Sequence, residues 1–226
     1  MTTWRASGRA PARRPLAGES VRLEPLDPAR HGDDLYASVR DADPALWEYM
    51  GYGPFADQTE FRAWLVERAA SADPLFFAVV EAASGRAAGM VSFLRMAPAH
   101  GVMEIGHIWF APSLQRTRPA TEAIFLLMRH VFDDLGYRRL EWKCDALNDA
   151  SRRAAARFGF VHEGVFRQHM IVKGRNRDTA WYALIDRDWP AVKANFLRWL
   201  APENFDPTGR QKISLGALND TARGES

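Results

Sequence analysis

From Gln115 to Phe160 the chain alternates helix and strand at close intervals, and that order is the strongest constraint on its fold. Pro119 to Leu135 carries Ala120, Ile124, Leu127, Met128, Val131 and Leu135 on one helical stripe, and Gly136 stops it. Arg139 to Cys144 reads as a strand and Asp149 to Phe158 as a shorter helix ended by Gly159. Phe160 to Val172 returns as a long, partly alternating strand interrupted near Gly164. Amphipathic helices threaded between strands can bury their apolar stripes only by lying on a sheet. The pattern therefore predicts an α/β or α+β single domain.

The flanking segments fit that class. Val21 to Leu26 reads as a first strand, and Asp27-Pro28 leads into a helix near Arg30 to Arg40. Trp47, Tyr49, Met50, Tyr52 and Phe55 form an aromatic patch, and Asp57 with Glu60 caps a helix carrying Phe61, Trp64 and Leu65. Leu75 to Val80, Ala87 to Leu94 and Val102 to Phe110 form a meander of three strands, the first turn being Ser84-Gly85. Lys173 to Asn176 turns the chain back into a last strand, Thr179 to Ile185, and Pro190 to Leu200 reads as a terminal helix. The expected organisation is a flexible leader over residues 1–19, one domain over 20–200, and a loose polar extension over 201–226, partly disordered.

Composition narrows the function. At 226 residues one buried core is comfortable and two domains are crowded. There is no run of 18 apolar residues and no apolar stretch behind the N-terminal arginines, so neither a membrane span nor a secretory signal is expected. Cys144 is the only cysteine, which excludes an internal disulfide and fits a reducing, cytoplasmic setting. The six histidines are scattered without ligand spacing, so no metal is expected. A net charge of +2 gives no argument for nucleic acid.

Two helix starts carry candidate chemistry. Gln115-Arg116-Thr117-Arg118-Pro119-Ala120 opens the long helix, and a helix N-terminus favours anions through its unpaired N–H groups and its dipole. Arg116 and Arg118 add charge, and Pro119 suits the first turn. A capped helix start with solvated arginines explains the same residues. In Leu147-Asn148-Asp149-Ala150-Ser151, either Asn148 or Asp149 can cap the next helix, and Ser151 offers a hydroxyl in its first turn.

Taken in order, these segments resemble the RimJ/RimL-like branch of the GCN5-related N-acetyltransferases over roughly residues 20–190. Met103-Glu104-Ile105-Gly106-His107-Ile108-Trp109-Phe110, Thr121-Glu122-Ala123, Leu135-Gly136-Tyr137-Arg138-Arg139, Asn148, Ser151, Gly159-Phe160, Glu163-Gly164 and Gly174-Arg175-Asn176-Arg177-Asp178-Thr179 carry the resemblance. It implies an acyl-CoA N-acyltransferase fold with two splayed central strands, here Val102–Phe110 and Arg139–Cys144. It also implies acetyl-CoA as cosubstrate, bound at Gln115, Arg116, Thr117, Arg118, Pro119 and Ala120, along Trp109 and Phe110, and near Asn148 and Ser151. The family's turn motif has a glycine where this chain has Arg118. Either the backbone turns right-handed there or cofactor affinity falls. Relatives often carry a tyrosine where this chain has Ala155, which leaves Ser151 as the expected proton donor to the thiolate.

The implied reaction is direct attack by a neutral amine on the acetyl carbonyl. A backbone N–H near Trp109 or Phe110 would face the oxyanion, and Asn148 would orient groups at the strand end. Glu104 is the preferred base, with His107 the other candidate. Strict strand alternation would put those two on opposite faces. Trp47, Tyr49, Tyr52 and Trp64 are candidate acceptor walls or simply core. The acceptor is a small-molecule amine or a protein N-terminus, and a homodimer is open. Cys144 reads as an inert buried thiol. The alternatives are a catalytically weak acyl-CoA-binding or regulatory module, or a purely structural domain.

Overall fold

The computed structural model describes residues 8–224, with side chains through Asp220. Eight strands form one sheet in the order β1-β2-β3-β4-β5-β6-β8-β7. They are β1 Leu16–Ala17, β2 Val21–Pro25, β3 Leu75–Glu81, β4 Ala87–Ala97, β5 Val102–Phe110, β6 Arg139–Asp145, β7 Val161–Val172 and β8 Arg175–Ile185. The helices are α1 Pro28–Val39, α2 Gln58–Ala70, α3 Arg118–Arg129, α4 Asp149–Arg157, α5 Trp189–Leu200 and α6 Leu215–Gly224. Every neighbouring pair is antiparallel except β5 and β6, which run parallel. This is the mixed class that the alternation of elements predicts.

Both faces of the sheet are covered, and strand alternation sorts the side chains between them. Phe77, Val79, Met103, Ile105, Leu140 and Trp142 pack under α3, α4, α5 and α6. Phe76, Ala78, Val80 and Met90 pack under α1 and α2 with Leu35, Phe61, Trp64 and Leu65. Local chemistry starts the helices as expected. Asp57 accepts from the Glu60 N–H at 2.9 Å while the Glu60 carboxylate accepts from the Ala56 N–H at 2.6 Å. α3 runs into a single π turn, His130–Asp134, and the chain reverses at Gly136 with φ +66°.

The two ends of the chain differ from expectation. Residues 1–7 of the expected leader lie outside the described residues, but residues 8–19 are tied down. Leu16 is buried, β1 pairs with β2, and the Tyr137 hydroxyl donates to the Arg9 carbonyl at 2.8 Å. The segment after Pro202 is not a loose tail as far as Gly224. It folds back as α6, burying Leu215 and Leu218, and Asn219 donates to the Arg157 carbonyl at 2.9 Å. Two isolated leucines gave too weak a stripe to announce this helix, which is held by tertiary contacts rather than by its own periodicity.

Candidate active site

β5 and β6 are paired only at their first three positions: Val102 with Arg139, Met103 with Leu140, Glu104 with Glu141. Beyond these the two strands separate, while β5 keeps β4 and β6 keeps β8 on their outer sides. The splay expected between Val102–Phe110 and Arg139–Cys144 is therefore present. It opens a slot whose walls are strand edges with backbone N–H and C=O groups left for another partner. Both following helices, α3 and α4, begin at the open end of this slot.

At the α3 start, Thr117 is the N-cap, accepting from the Ala120 N–H at 3.3 Å and donating to the Leu114 carbonyl at 2.6 Å. Arg118 is the first helical residue and turns right-handed, so no glycine is needed there. The left-handed position of this turn falls instead on Arg116, with φ +62°. Pro119 stands in the first turn, where its missing N–H costs nothing. The Arg118 guanidinium lies 3.4 Å from Glu19 and over the Phe205 ring, with 5.6 Å to the centroid. Gln115 is engaged at the end of β5, its amide donating to the Phe110 carbonyl at 3.0 Å. The Ala111 N–H bonds back to Ala88, so alternation along the ladder turns the Phe110 N–H away from β4 and toward the slot.

At the α4 start, Asn148 is the N-cap and accepts from the Ser151 N–H at 2.9 Å. Asp149, the other candidate cap, is the first helical residue and exposed. The Ser151 hydroxyl accepts from the Trp142 indole N–H at 2.9 Å and hydrogen-bonds the Cys144 thiol. Burial pushes that thiol up, and the Ser151 hydroxyl only partly offsets it, so Cys144 is a poor nucleophile. Ala155 is fully buried and leaves no hydroxyl at that position.

The opposite side of the slot is polar. Trp109 and Gly106 pair with Met90 and Ser92, so His107 and Ile108 together face Val91 in a β-bulge, with His107 at φ +49°. The extra residue resets the alternation. His107 packs on Phe76, with ring centroids 5.1 Å apart, on the α1/α2 side. Glu104 lies on the same side, because its partner Lys143 alternates with the α4-side residues Trp142 and Cys144. The expectation that strict alternation separates Glu104 from His107 is thus corrected: the bulge brings them to one face.

Lys143 is the residue that sequence reasoning missed. Its side chain is only 4% exposed, and its ammonium lies 2.9 Å from Glu104 and 2.7 Å from Glu141, above the Trp181 ring at 3.8 Å. Burial raises the Glu104 carboxyl above its ordinary range, with Lys143 and Arg95 opposing. Burial also pushes Glu141 upward, but hydrogen bonds from Lys143 and Arg139 outweigh it and hold that carboxyl low. His107 is pulled down to about 4 by burial and by Arg68 and Arg95, so it is neutral at pH 7.

Aromatic rings wall this face. Trp109 packs against Trp47 at a tilt, with ring centroids 5.5 Å apart, so its side chain belongs to the core and only its backbone reaches the slot. Tyr52 packs at a tilt against Trp64 at 4.6 Å and stacks on His107 at 5.8 Å, whereas Tyr49 turns aside and donates to the Leu147 carbonyl at 3.3 Å. Phe166 stacks on Trp181 at 4.4 Å. The hairpin tip closes the far side: the Lys173 ammonium donates to the Trp47 and Gly53 carbonyls at 2.8 and 2.6 Å. Arg177 donates to Thr179 at 3.2 Å, and Asp178 accepts from the Gln168 N–H at 2.7 Å, buttressing a bulge in β7. Among the described residues, no group of three or more metal-ligating side chains gathers, and no helix is long and apolar enough to cross a membrane.

The chain is similar in sequence and fold to known acetyltransferases. The family model described as an acetyltransferase (GNAT) domain matches residues 20–161. The crystal structure of a GCN5-related N-acetyltransferase from Brucella melitensis is 50% identical, with a TM-score of 0.92, over 96% of this chain and 98% of that one. The ribosomal-protein-serine acetyltransferase of Escherichia coli (strain K12) is 32% identical over 97 residues, 43% of this chain and 54% of that protein. The N-acetyltransferase YoaA of Bacillus subtilis (strain 168), itself uncharacterized, is 33% identical over 97 residues, 43% of this chain and 54% of its own. The matched stretch thus spans about half the length of these two curated relatives. The RimL ribosomal L7/L12 alpha-N-protein acetyltransferase shares the fold, with a TM-score of 0.65 at 23% identity. The chain belongs to the GNAT family of N-acetyltransferases, in its RimJ/RimL-like branch.

Proposed function

We propose that this protein transfers the acetyl group of acetyl-CoA to a primary amine by direct attack. The observation that carries this reading is the slot where β5 and β6 part after Glu104 and Glu141, with two helix N-termini at its open end. Unpaired strand edges fit the amide-bearing pantetheine arm, and the turn Gln115 to Ala120 fits the diphosphate. Acetyl-CoA supplies an activated carbonyl and a thiolate leaving group. The residues of the chain do the rest. Glu104, directly or through water, takes the proton of the incoming ammonium. The Phe110 N–H faces the developing oxyanion. As the C–N bond forms and the C–S bond breaks, the Ser151 hydroxyl donates its proton toward the sulfur. Its oxygen already accepts from Trp142, so its O–H, which bonds the Cys144 thiol in the free protein, is the group that turns to a sulfur in the slot. Glu104, beside Lys143, and Ser151, bonded to Trp142, stand on opposite faces of the sheet, which suits a base on one side and an acid on the other.

Relatives named for ribosomal proteins favour a protein N-terminus as the acceptor over a free small amine. A buried free thiol at Cys144 is in keeping with work in the cytoplasm. The test is calorimetric binding of acetyl-CoA, followed by thiol release with peptide and small-amine acceptors. Saturable binding with amine-dependent release is expected. Ser151→Ala should lower turnover about 100-fold with little change in acetyl-CoA affinity, the size of a general-acid effect, and Ser151→Thr should retain most activity. No binding at millimolar acetyl-CoA would overturn the reading, and unchanged turnover in Ser151→Ala would remove the role given to that hydroxyl.

A further inference from the structure

The face that receives the amine carries more positive charge than its carboxylates neutralise. Arg68 and Arg95 lie near His107, and Arg95, Arg177 and Lys143 near His169, and after burial these cations pull the two imidazoles down. Glu104 and Glu141 share Lys143, and the Asp73 carboxylate accepts from the Arg95 and Met96 backbone N–H groups rather than from a guanidinium. Arg95 reaches Glu104 only at 3.7 Å with its side chain half exposed. The Arg177 guanidinium is held by a neutral hydroxyl, that of Thr179. Arg68 pairs with the exposed Glu67 at 3.1 Å, yet its Nε is buried without a hydrogen-bond partner.

Glu104 Oε2, 2.9 Å from the Lys143 ammonium, is the one acceptor among the buried atoms on this side that lack a hydrogen bond, and the others are of one kind. The indole N–H groups of Trp64, Trp109 and Trp181, the Arg68 Nε–H and the Tyr52 hydroxyl lack partners. Four of these five can only donate, and the fifth can. A site with an excess of donors and cations is completed by a ligand that brings acceptor atoms and negative charge. It is a poor site for a polyamine, whose second ammonium would find no counter-charge. The same positive field lowers the pKa of an ammonium bound beside it, which eases the deprotonation that must precede attack.

We propose that the acceptor carries a carboxylate close to its reacting amine, and that Arg95, Arg177 and Arg68 receive that carboxylate while the amine faces Glu104. The proposal rests on the acetyltransferase reading and names the substrate class of that site. The carboxylate belongs either to a free amino acid or to an acidic side chain near a peptide N-terminus, and the probes separate these sources.

The experiment compares serine with serinamide, and the peptide amides Ser-Glu-Gly and Ser-Lys-Gly. It measures thiol release with acetyl-CoA, and calorimetric binding of each acceptor to the protein loaded with coenzyme A. At least about tenfold preference for the acid member in kcat/KM or in affinity is expected in one pair, and that pair identifies the source; such a ratio is about 1.4 kcal/mol. Arg177→Glu should invert the preference and Arg95→Gln should erase most of it, both read as the ratio within a pair so that a general loss of activity cancels. Acetyl-CoA binding without any acid preference, or a preference for the amide or the lysine peptide, would overturn the proposal and leave the transferase reading standing. Failure of acetyl-CoA to bind would instead remove the reading on which the proposal rests.

Discussion

Lys143 shows how one buried side chain can set the chemistry of a whole face. Its ammonium is withdrawn from water, which is costly unless charges and hydrogen bonds compensate it, and Glu104, Glu141 and the Trp181 ring do so. The two carboxylates respond in opposite senses for a geometric reason. Glu141 also receives the Arg139 guanidinium at 2.8 Å, whereas Glu104 has beyond Lys143 only the distant Arg95. Burial therefore wins at Glu104 and loses at Glu141. A raised Glu104 is protonated, and useless as a base, over a wider acidic range. Activity should climb with pH as it ionises. Replacing Lys143 with methionine removes the cation that holds Glu104 down, so the acidic limb of the kcat/KM profile should move to higher pH. At pH 7 activity should fall about tenfold or more, and it should recover in alkaline buffer. A loss that is equal at every pH would mean that Lys143 only holds the strands in place.

At the scale of elements, the bulge in β5 matters most, and it marks the boundary of what the sequence makes legible. β2 to β8 and α1 to α5 follow from periodicity and cap chemistry, because each depends on neighbours close in sequence, and the splay follows from family resemblance; β1 does not, and Asn148 is one of two candidate caps that the sequence offers for α4. The placing of Glu104 beside His107 does not follow either, since one inserted residue reverses every alternation after it. Lys143, Trp181 and Phe166 were likewise illegible as a group: three strands bring them together, and each alone reads as an ordinary strand residue. The visible clue was Gly89, which faces the far end of the bulge. A Cβ built there would meet the Trp109 carbonyl oxygen and Phe110 Cδ1, each at 2.8 Å. The contact with backbone oxygen cannot be relieved by turning a side chain. Gly89→Ala should push β4 from β5 at the Phe110 end, at a cost of about 1–3 kcal/mol in urea unfolding. It should also lower turnover, because the Phe110 N–H moves with the strand. An alanine variant with wild-type stability and turnover would show that the bulge is not held by close approach.

At the scale of the whole molecule, the C-terminal segment closes back on the turn expected to hold the diphosphate. α5 and α6 complete the core under α3 and α4, and the stretch between them places Phe205 over the Arg118 guanidinium, with Trp199 in edge contact at 5.2 Å. Arg157 is clasped in the same region, its guanidinium over the Phe158 and Trp199 rings and donating to Thr121 at 3.2 Å. Two arginines at one end of the molecule are thus oriented by aromatic rings, an arrangement that fixes the guanidinium plane without neutralising its charge. Truncation after Ala201 removes Phe205 and α6 together, exposes the surface that Leu215 and Leu218 bury, and should lower the melting temperature. That result alone would not separate support of the fold from support of the ligand. Phe205→Ala separates them, since it removes the ring over Arg118 and leaves α6 in place. A cation–π contact of about 0.5–2 kcal/mol corresponds to a rise of roughly two- to thirtyfold in the acetyl-CoA dissociation constant, with kcat at saturation unmoved. If Phe205→Ala binds acetyl-CoA as tightly as the parent while truncation still lowers the melting temperature, the segment serves the core alone, and Arg118 needs no ring to present its charge.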